Sequence, residues 1–342
     1  MDFPVSISVI MATYNTEIPI LKEAVDSILN QTFRDFEFLI IDDGSTNKSD
    51  AYLKSIPDER VRVIRNAKNI GVTKSLNVGL KQAKGKYIAR MDADDVSLLT
   101  RLETEFAFME AHPDVIVCGA KRSGSIIGEK RKLPTPLKNE LPEEMEEYRV
   151  RMLFNNPGPI HPSAMLRHEP LLTHHILYKE NLKYAQDYGM WEEASHFGRI
   201  CRLNVPLVYR RVSDNQISVA KREIQIQCDK LTQKKILSDL LGDVSDAEVD
   251  FHYTYSTGYY PDAVITPKAA KWYDRLIQAN KSRGIYDQKK LESQIILLKK
   301  SLIRKSFKQG MSMPEKIRMM FRYLPLPSAV KMLAGTIIKR SR

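Results

Sequence analysis

The sequence predicts an α/β fold with a mainly parallel central sheet, and three observations carry that prediction. Short apolar segments alternate with stretches of helical apolar spacing over residues 1–120. The first of these segments, Val5–Met11, has the apolar character of a buried strand. The segments end in polar or acidic turns, and ligands in such sheets bind beyond the carboxyl ends of the strands.

The elements follow in order. Val5–Met11 reads as a buried strand and Thr13-Tyr14-Asn15 as the loop after it. Pro19 suits a first helical turn, and Ile20, Leu21, Ala24, Val25, Ile28 and Leu29 fall on one helical face. Phe36–Ile41 is a second strand, stopping at Asp42-Asp43-Gly44-Ser45, where Gly supplies a left-handed position and Ser or Thr a helix cap. Val61–Ile64 is a third strand, Asn69-Ile70-Gly71 a turn, and Thr73–Lys84 a helix despite Gly79. Tyr87–Met91 is a fourth strand. Thr100-x-x-Glu103 reads as a capping box opening the helix of Leu102, Phe106 and Met109, and Val115–Cys118 is a fifth strand. Thr13 to Asn15, Asp42-Asp43 and Asp92 to Asp94 all follow strand ends, so they share one crevice in this fold.

The fourth strand ends in Asp92-Ala93-Asp94-Asp95. Carboxylates crowded at the end of a buried strand cost free energy unless a cation lies between them. Hard oxygen ligands suit Mg²⁺ or Mn²⁺ carrying a diphosphate. Read alone, the triplet is more simply a solvated acidic turn, with Asp95 capping the next helix. No Gly-rich phosphate loop and no Walker motif follows the first strand. A nucleotide bound here would have its diphosphate neutralised by metal.

Composition narrows the classes. The 342 residues suffice for one large domain with appendages or for two small ones. Asp2 and Pro4 run straight into a strand, which does not fit a signal peptide, and no apolar run approaches the ~20 residues of a bilayer span. Cys118, Cys201 and Cys228 lack metal or redox spacing and read as thiols of a reducing cytosol. The net charge is +11, and residues 299–342 hold twelve Lys and Arg against one acid, Glu315, so residues 1–298 are formally neutral. A neutral body argues against nucleic acid as a partner.

The ordered motifs resemble the family 2 glycosyltransferases of the GT-A fold. They are Ser8-Val9-Ile10-Met11-Ala12-Thr13-Tyr14-Asn15, Ser27 to Phe33, Ile41-Asp42-Asp43-Gly44-Ser45-Thr46, Asn69-Ile70-Gly71, Gly85 to Asp95 and Arg101-Leu102-Glu103. Weaker echoes are His161-Pro162-Ser163, Gln186-Asp187-Tyr188 and Val208 to Val212. The resemblance implies an inverting, non-processive transferase with a mainly parallel sheet and a nucleotide-sugar donor, UDP-linked by family expectation. It implies Thr13 and Asn15 at the nucleotide pocket, Asp43 on uracil or ribose, Lys74 along the base, Asp92 on ribose or sugar, Asp94 on the metal and Asp187 as general base. Read without it, Asp187 on its amphipathic helix is a capping acid and His161 a packed loop residue. Two positions depart from the family pattern. Gln186 stands where Glu commonly precedes the base, and Ser213 where many members have a metal-binding His; either the metal has one protein ligand fewer or Asp214 or His161 takes the place. The Gln-x-x-Arg-Trp motif of processive synthases is missing.

These readings divide the chain into residues 1–120, binding nucleotide-sugar; 121–218, binding acceptor; and 219–342, a helical extension with a basic amphipathic tail. Lys121 to Tyr148 reads as the start of the acceptor side and a lid. Helical spacing returns at Ile224–Leu241, Leu291–Leu302 and Ile317–Tyr323, and Pro325 and Pro327 interrupt the last segments. Residues 299–342 suit the anionic inner face of the cytoplasmic membrane, where lipid-linked saccharide acceptors of capsule or lipopolysaccharide synthesis would be met. A solvated appendage or an oligomer contact is the plainer reading of that tail. Two other classes pair carboxylates with a nucleotide: a nucleotidyltransferase, whose Gly-rich, Lys-containing entry loop is missing, and a non-catalytic nucleotide-sugar-binding protein.

Overall fold

The computed structural model describes residues 3–134, 145–212, 221–257, 260–308 and 310–338. Ser213 and Asp214, residues 135–144 of the expected lid, and the last four residues of the basic tail lie outside them. The strands in chain order are β1 (Val5–Thr13), β2 (Phe36–Asp42), β3 (Val61–Arg65), β4 (Gly85–Asp92), β5 (Val96–Ser97), β6 (Val115–Ala120), β7 (Gly124–Ile127), β8 (Lys130–Lys132), β9 (Met165–Arg167), β10 (Arg199–Leu203) and β11 (Val208–Arg211). The helices are α1 (Ile18–Leu29), α2 (Ser49–Lys54), α3 (Val72–Gln82), α4 (Arg101–Ala111), α5 (Met145–Met152), α6 (His168–Thr173), α7 (Gln186–Ala194) and α8 (Arg222–Leu241). They continue with α9 (Asp246–Ser256), α10 (Pro267–Arg283), α11 (Gln288–Phe307), α12 (Met313–Tyr323) and α13 (Leu326–Ile338).

The chain forms two compact units, one of residues 1–145 and 158–229, the other of residues 146–157 and 230–342. In the first, seven strands form one sheet in the order β10-β6-β9-β4-β1-β2-β3. The pairs β1–β2, β1–β4, β2–β3 and β6–β10 are parallel, and β9 alone runs against its neighbours β4 and β6. The expected α/β class with a mainly parallel sheet is the fold observed. Ile7, Val9 and Met11 bury one face of β1 in a core shared with Leu21, Ala24, Val25 and Ile28 of α1 and Leu102 and Met109 of α4. Ile10 points the other way, onto α3, where a Cβ at Gly79 would lie 2.5 Å from its Cγ2. That close approach is why α3 tolerates a glycine in its middle.

A second, four-stranded sheet in the order β5-β11-β7-β8 was not foreseen. Its strands are two to four residues long, and β8 is Lys-Arg-Lys with all three side chains exposed. So short a strand has no room for an apolar period. Three local expectations fail because tertiary partners compete for the same side chains. Thr100 sits at the N-cap of α4 without a side-chain bond, and Glu103 instead accepts from Thr32 Oγ1 at 2.8 Å. Ser45 and Thr46 do not cap α2, which begins after Lys48. Asp95 is buried and bonded to a distant strand rather than to α4.

The second unit is helical, as expected. Ser245 and Glu248 form a reciprocal capping box at α9, and Asp287 Oδ1 accepts from Lys290 N at 2.8 Å to cap α11. His252, fully buried, bonds through Nε2 with Leu153 O at 2.7 Å and takes the Trp272 indole N–H on Nδ1 at 3.0 Å. Burial lowers its pKa to about 4, so the ring is neutral. The three cysteines are buried free thiols.

Candidate active site

The first two strands end side by side, with Thr13 in register with Asp42. Thr13 is buried at the strand end, its hydroxyl 2.9 Å from that of Thr16. Asn15 follows with φ of +51°, a left-handed conformation that Asn tolerates better than most residues. Its N–H donates to Ser45 Oγ at 2.9 Å, and its Oδ1 accepts from the Thr46 and Asn47 N–H groups at 2.8 and 3.2 Å. Asn15 therefore laces the β1 loop to the β2 loop. Asp42 holds that turn: it pairs with Arg65 at 2.8 Å and accepts from Ser45 N at 2.9 Å. Gly44, at φ +74°, is needed twice, because a Cβ there would also meet the Lys68 backbone at 2.6 Å. Asp43 is 2 % exposed. Its oxygens accept from Asn66 Nδ2 at 2.8 Å, Ile70 N at 2.9 Å and Gly71 N at 2.8 Å. It thus pins the Asn69-Ile70-Gly71 turn beside the strand ends.

The acidic turn lies at the end of β4, next to β1. Asp92, Asp94 and Asp95 bring a carboxylate oxygen each to within 4.8 Å of one another. Burial first, and the Asp92 charge second, lift the Asp94 carboxyl to about 6, although its side chain has an open side. The same causes, with Asp94 added, lift buried Asp95 to about 8. Three hard oxygen donors this close, two held back from ionising by burial and by neighbouring carboxylates, fit a divalent cation.

Three arginines fix the turn. Arg90 on β4 is 5 % exposed and pairs with Asp92, and its Nε and Nη1 have no hydrogen-bond partner among the described residues. Arg211 on β11 donates its backbone N–H to Asp95 Oδ1 and its Nε–H to Asp94 O, each at 3.0 Å. Arg101, fully buried, opens α4 and reaches under the turn. It donates to Arg90 O at 2.7 Å, Ser97 Oγ at 3.2 Å and Ala164 O at 3.4 Å, and pairs with buried Glu105 at 3.1 Å. Burial raises the Glu105 carboxyl to about 7 even beside that guanidinium.

Asp187 lies in the first turn of α7, after the N-cap Ala185, and is half-buried. Close by is Tyr178, whose hydroxyl is raised above its ordinary value by burial first, with further contributions from the Asp187 and Asp92 charges against an opposing one from Arg90. One buried hydroxyl thus feels the acid of α7 and the Arg90–Asp92 pair of β4. His161 Nε2 lies 2.9 Å from that hydroxyl, and its ring meets those of Tyr178 and Trp191 edge-on. Burial first, and Arg90 second, keep His161 well below its ordinary pKa. It stands outside the carboxylate cluster, and Trp191 is core, as expected. Lys74 is exposed on α3 and pairs with Glu180 at 3.4 Å.

Sequence reasoning found the carboxylates and missed their supports. Arg90 sits inside an apolar strand, and Arg211 lies in a segment noted only as an echo. Tyr178 is in a stretch with no motif.

A family model, Glycosyl transferase family 2, matches residues 8–173. An uncharacterized glycosyltransferase of Haemophilus influenzae is 32 % identical over 247 residues, covering 70 % of this chain and 75 % of that protein. The amylovoran biosynthesis glycosyltransferase AmsE of Erwinia amylovora is 28 % identical over 253 residues, covering 67 % of this chain and 86 % of that protein. The crystal structure of S. aureus TarS 1–349 in complex with UDP-GlcNAc is similar in fold, with a TM-score of 0.59 at 21 % identity over 90 % of this chain and 93 % of that one. The sheet order, the acidic turn at the end of β4 and these likenesses agree: the chain belongs to glycosyltransferase family 2, with the GT-A fold.

Proposed function

We propose that the chain transfers a sugar, with inversion, from a nucleoside-diphosphate donor to a saccharide or lipid-linked saccharide acceptor in cell-surface polysaccharide synthesis. UDP is the nucleotide we favour. The observation that carries the reading is the clustering of Asp92, Asp94 and Asp95 at the end of β4, beside the laced loops of β1 and β2.

In this reading Thr13, Asn15 and Asp43 border the nucleotide. Asp43 acts by holding the turn before α3 through the Ile70 and Gly71 N–H groups. Lys74, exposed on α3, closes over the base. Asp92, oriented by Arg90, takes a hydroxyl of the ribose or sugar. Asp94, the exposed member of the triplet, holds Mn²⁺ or Mg²⁺, with Asp95 behind it. Held there, such an ion would supply positive charge against the diphosphate leaving group. Asp187 takes the proton of the acceptor hydroxyl as that oxygen attacks the anomeric carbon, an effect typically worth ~10²–10⁴-fold. Neighbouring Tyr178, kept protonated by burial, does not compete for the proton. The match to an amylovoran glycosyltransferase supports the polysaccharide setting.

The test is donor hydrolysis. The purified chain is incubated with UDP-, GDP- and dTDP-sugars, with Mn²⁺ or with chelator, and the released nucleoside diphosphate is measured. Metal-dependent release from one donor, abolished by Asp94→Ala, is the expected result. No release, combined with no calorimetric binding of UDP and Mn²⁺, would refute the reading.

A further inference from the structure

The last two helices carry a surface that the chemistry above does not use. α12 and α13 touch each other across Pro325, and Met320, Leu324, Ala329 and Met332 are buried there. The pair thus has an inward apolar side already covered. Each helix also leaves apolar side chains outward: Ile317 and Phe321 of α12 stay 36 and 43 % exposed, and Leu326 and Val330 of α13 66 and 50 %. A spacing of four places Ile317 with Phe321 on one face of α12, and Leu326 with Val330 on one face of α13. Exposed Arg318, Arg322 and Lys331 stand in the same two helices. The one acid of residues 299–342, Glu315, is spent on the capping box of α12, where it accepts from Ser312 N at 2.8 Å and Ser312 Oγ at 2.7 Å.

Exposed apolar clusters of this kind mark docking sites, and the charge around this one selects the occupant. A second copy would bring like charges together. A nucleic acid would leave four large apolar side chains in water. A bilayer with anionic headgroups satisfies both features, and an interfacial helix of this composition lies along such a surface. No helix among the described residues is long and apolar enough to cross a membrane. We infer that α12 and α13 dock on an anionic lipid surface, with Ile317, Phe321, Leu326 and Val330 at the headgroup boundary and Arg318, Arg322 and Lys331 on the lipid phosphates. The inference extends the reading of a lipid-linked acceptor, and it is measured without donor, so the two fail separately.

The full chain is floated with vesicles of phosphatidylcholine alone or mixed with phosphatidylglycerol. Binding to the mixed vesicles, weakening with salt, is the expected result. Two variants are compared, both confined to exposed side chains and both checked for unchanged melting and unchanged UDP binding. Phe321→Ser with Leu326→Ser lowers the bound fraction at every lipid concentration. Arg318→Gln with Arg322→Gln and Lys331→Gln lowers partitioning by about fivefold per charge, about a hundredfold together. Failure of the unaltered chain to float with anionic vesicles overturns the inference, as does flotation of both variants equal to that of the unaltered chain. A smaller particle mass for the variants by light scattering, with flotation unchanged, also overturns it and makes the surface a contact between copies.

Discussion

The ion pair beneath the acidic turn offers a prediction in which stability and site geometry separate. Arg101 and Glu105 are both fully buried, and Arg101 also donates to Arg90 O, two residues before Asp92 at the strand end. Glu105→Leu leaves a fully buried guanidinium that cannot lose its proton. Breaking a buried pair in this way costs about 3–5 kcal/mol. At about 2–4 °C per kcal/mol for a unit of this size, the melting temperature of the catalytic unit falls by about 10 °C. Arg101→Met added to Glu105→Leu removes the stranded charge, so most of that loss returns. The double variant still lacks the donor to Arg90 O, and its affinity for UDP with Mn²⁺ stays below that of the parent. The assay is thermal unfolding followed by circular dichroism at pH 8.5, above the raised Glu105 pKa, with calorimetric titration beside it. If Glu105→Leu melts within about 3 °C of the parent, the pair does not hold the turn. If the double variant melts as low as the single one, an unpaired charge is not the cause.

Three further outcomes follow from named contacts. Asp187→Asn keeps calorimetric binding of UDP and lowers kcat by about 10²–10⁴-fold, because it removes the proposed proton acceptor and leaves the strand ends untouched. Gly44→Ala destabilises by more than about 1 kcal/mol in chemical unfolding, since a left-handed turn and a 2.6 Å approach to the Lys68 backbone both oppose a Cβ. His252 is held neutral with its pKa lowered to about 4, so the stability it contributes is full above pH ~6.5 and is lost as the pH falls towards 4. The loss amounts to about 3 kcal/mol, and thermal melts between pH 7.5 and 4.5 should show His252→Gln losing less than the parent.

How much of this was legible follows from where each signal lies along the chain. The large sheet was readable because β1, β2, β4 and β6 are buried on consecutive positions and separated by helices with a clear apolar face. The placing of Thr13, Asp43 and the acidic triplet along adjoining strand ends was readable for the same reason. Asp95 was not. An acid just ahead of a helix fits a cap by local pattern, and its actual partner, the Arg211 N–H, comes from a strand 116 residues away. Arg90 and Arg101 were hidden differently. A buried guanidinium looks in sequence like any surface arginine until a carboxylate and carbonyls are seen to surround it.

The supports explain why so crowded a turn can be stable before any ligand arrives. Asp92 has Arg90, and Asp95 has the Arg211 N–H, so two of the three carboxylates are anchored by the protein. Asp94 is held by its backbone, through Arg211 Nε on its carbonyl, while its carboxyl faces outward and resists ionisation. The protein thus fixes the position of Asp94 and leaves its charge poorly compensated. A site built to neutralise itself would have placed Arg211 on the carboxyl. With Arg211 Nε on the carbonyl, the carboxyl keeps its open side, and in the proposed function that is the side a divalent cation would meet.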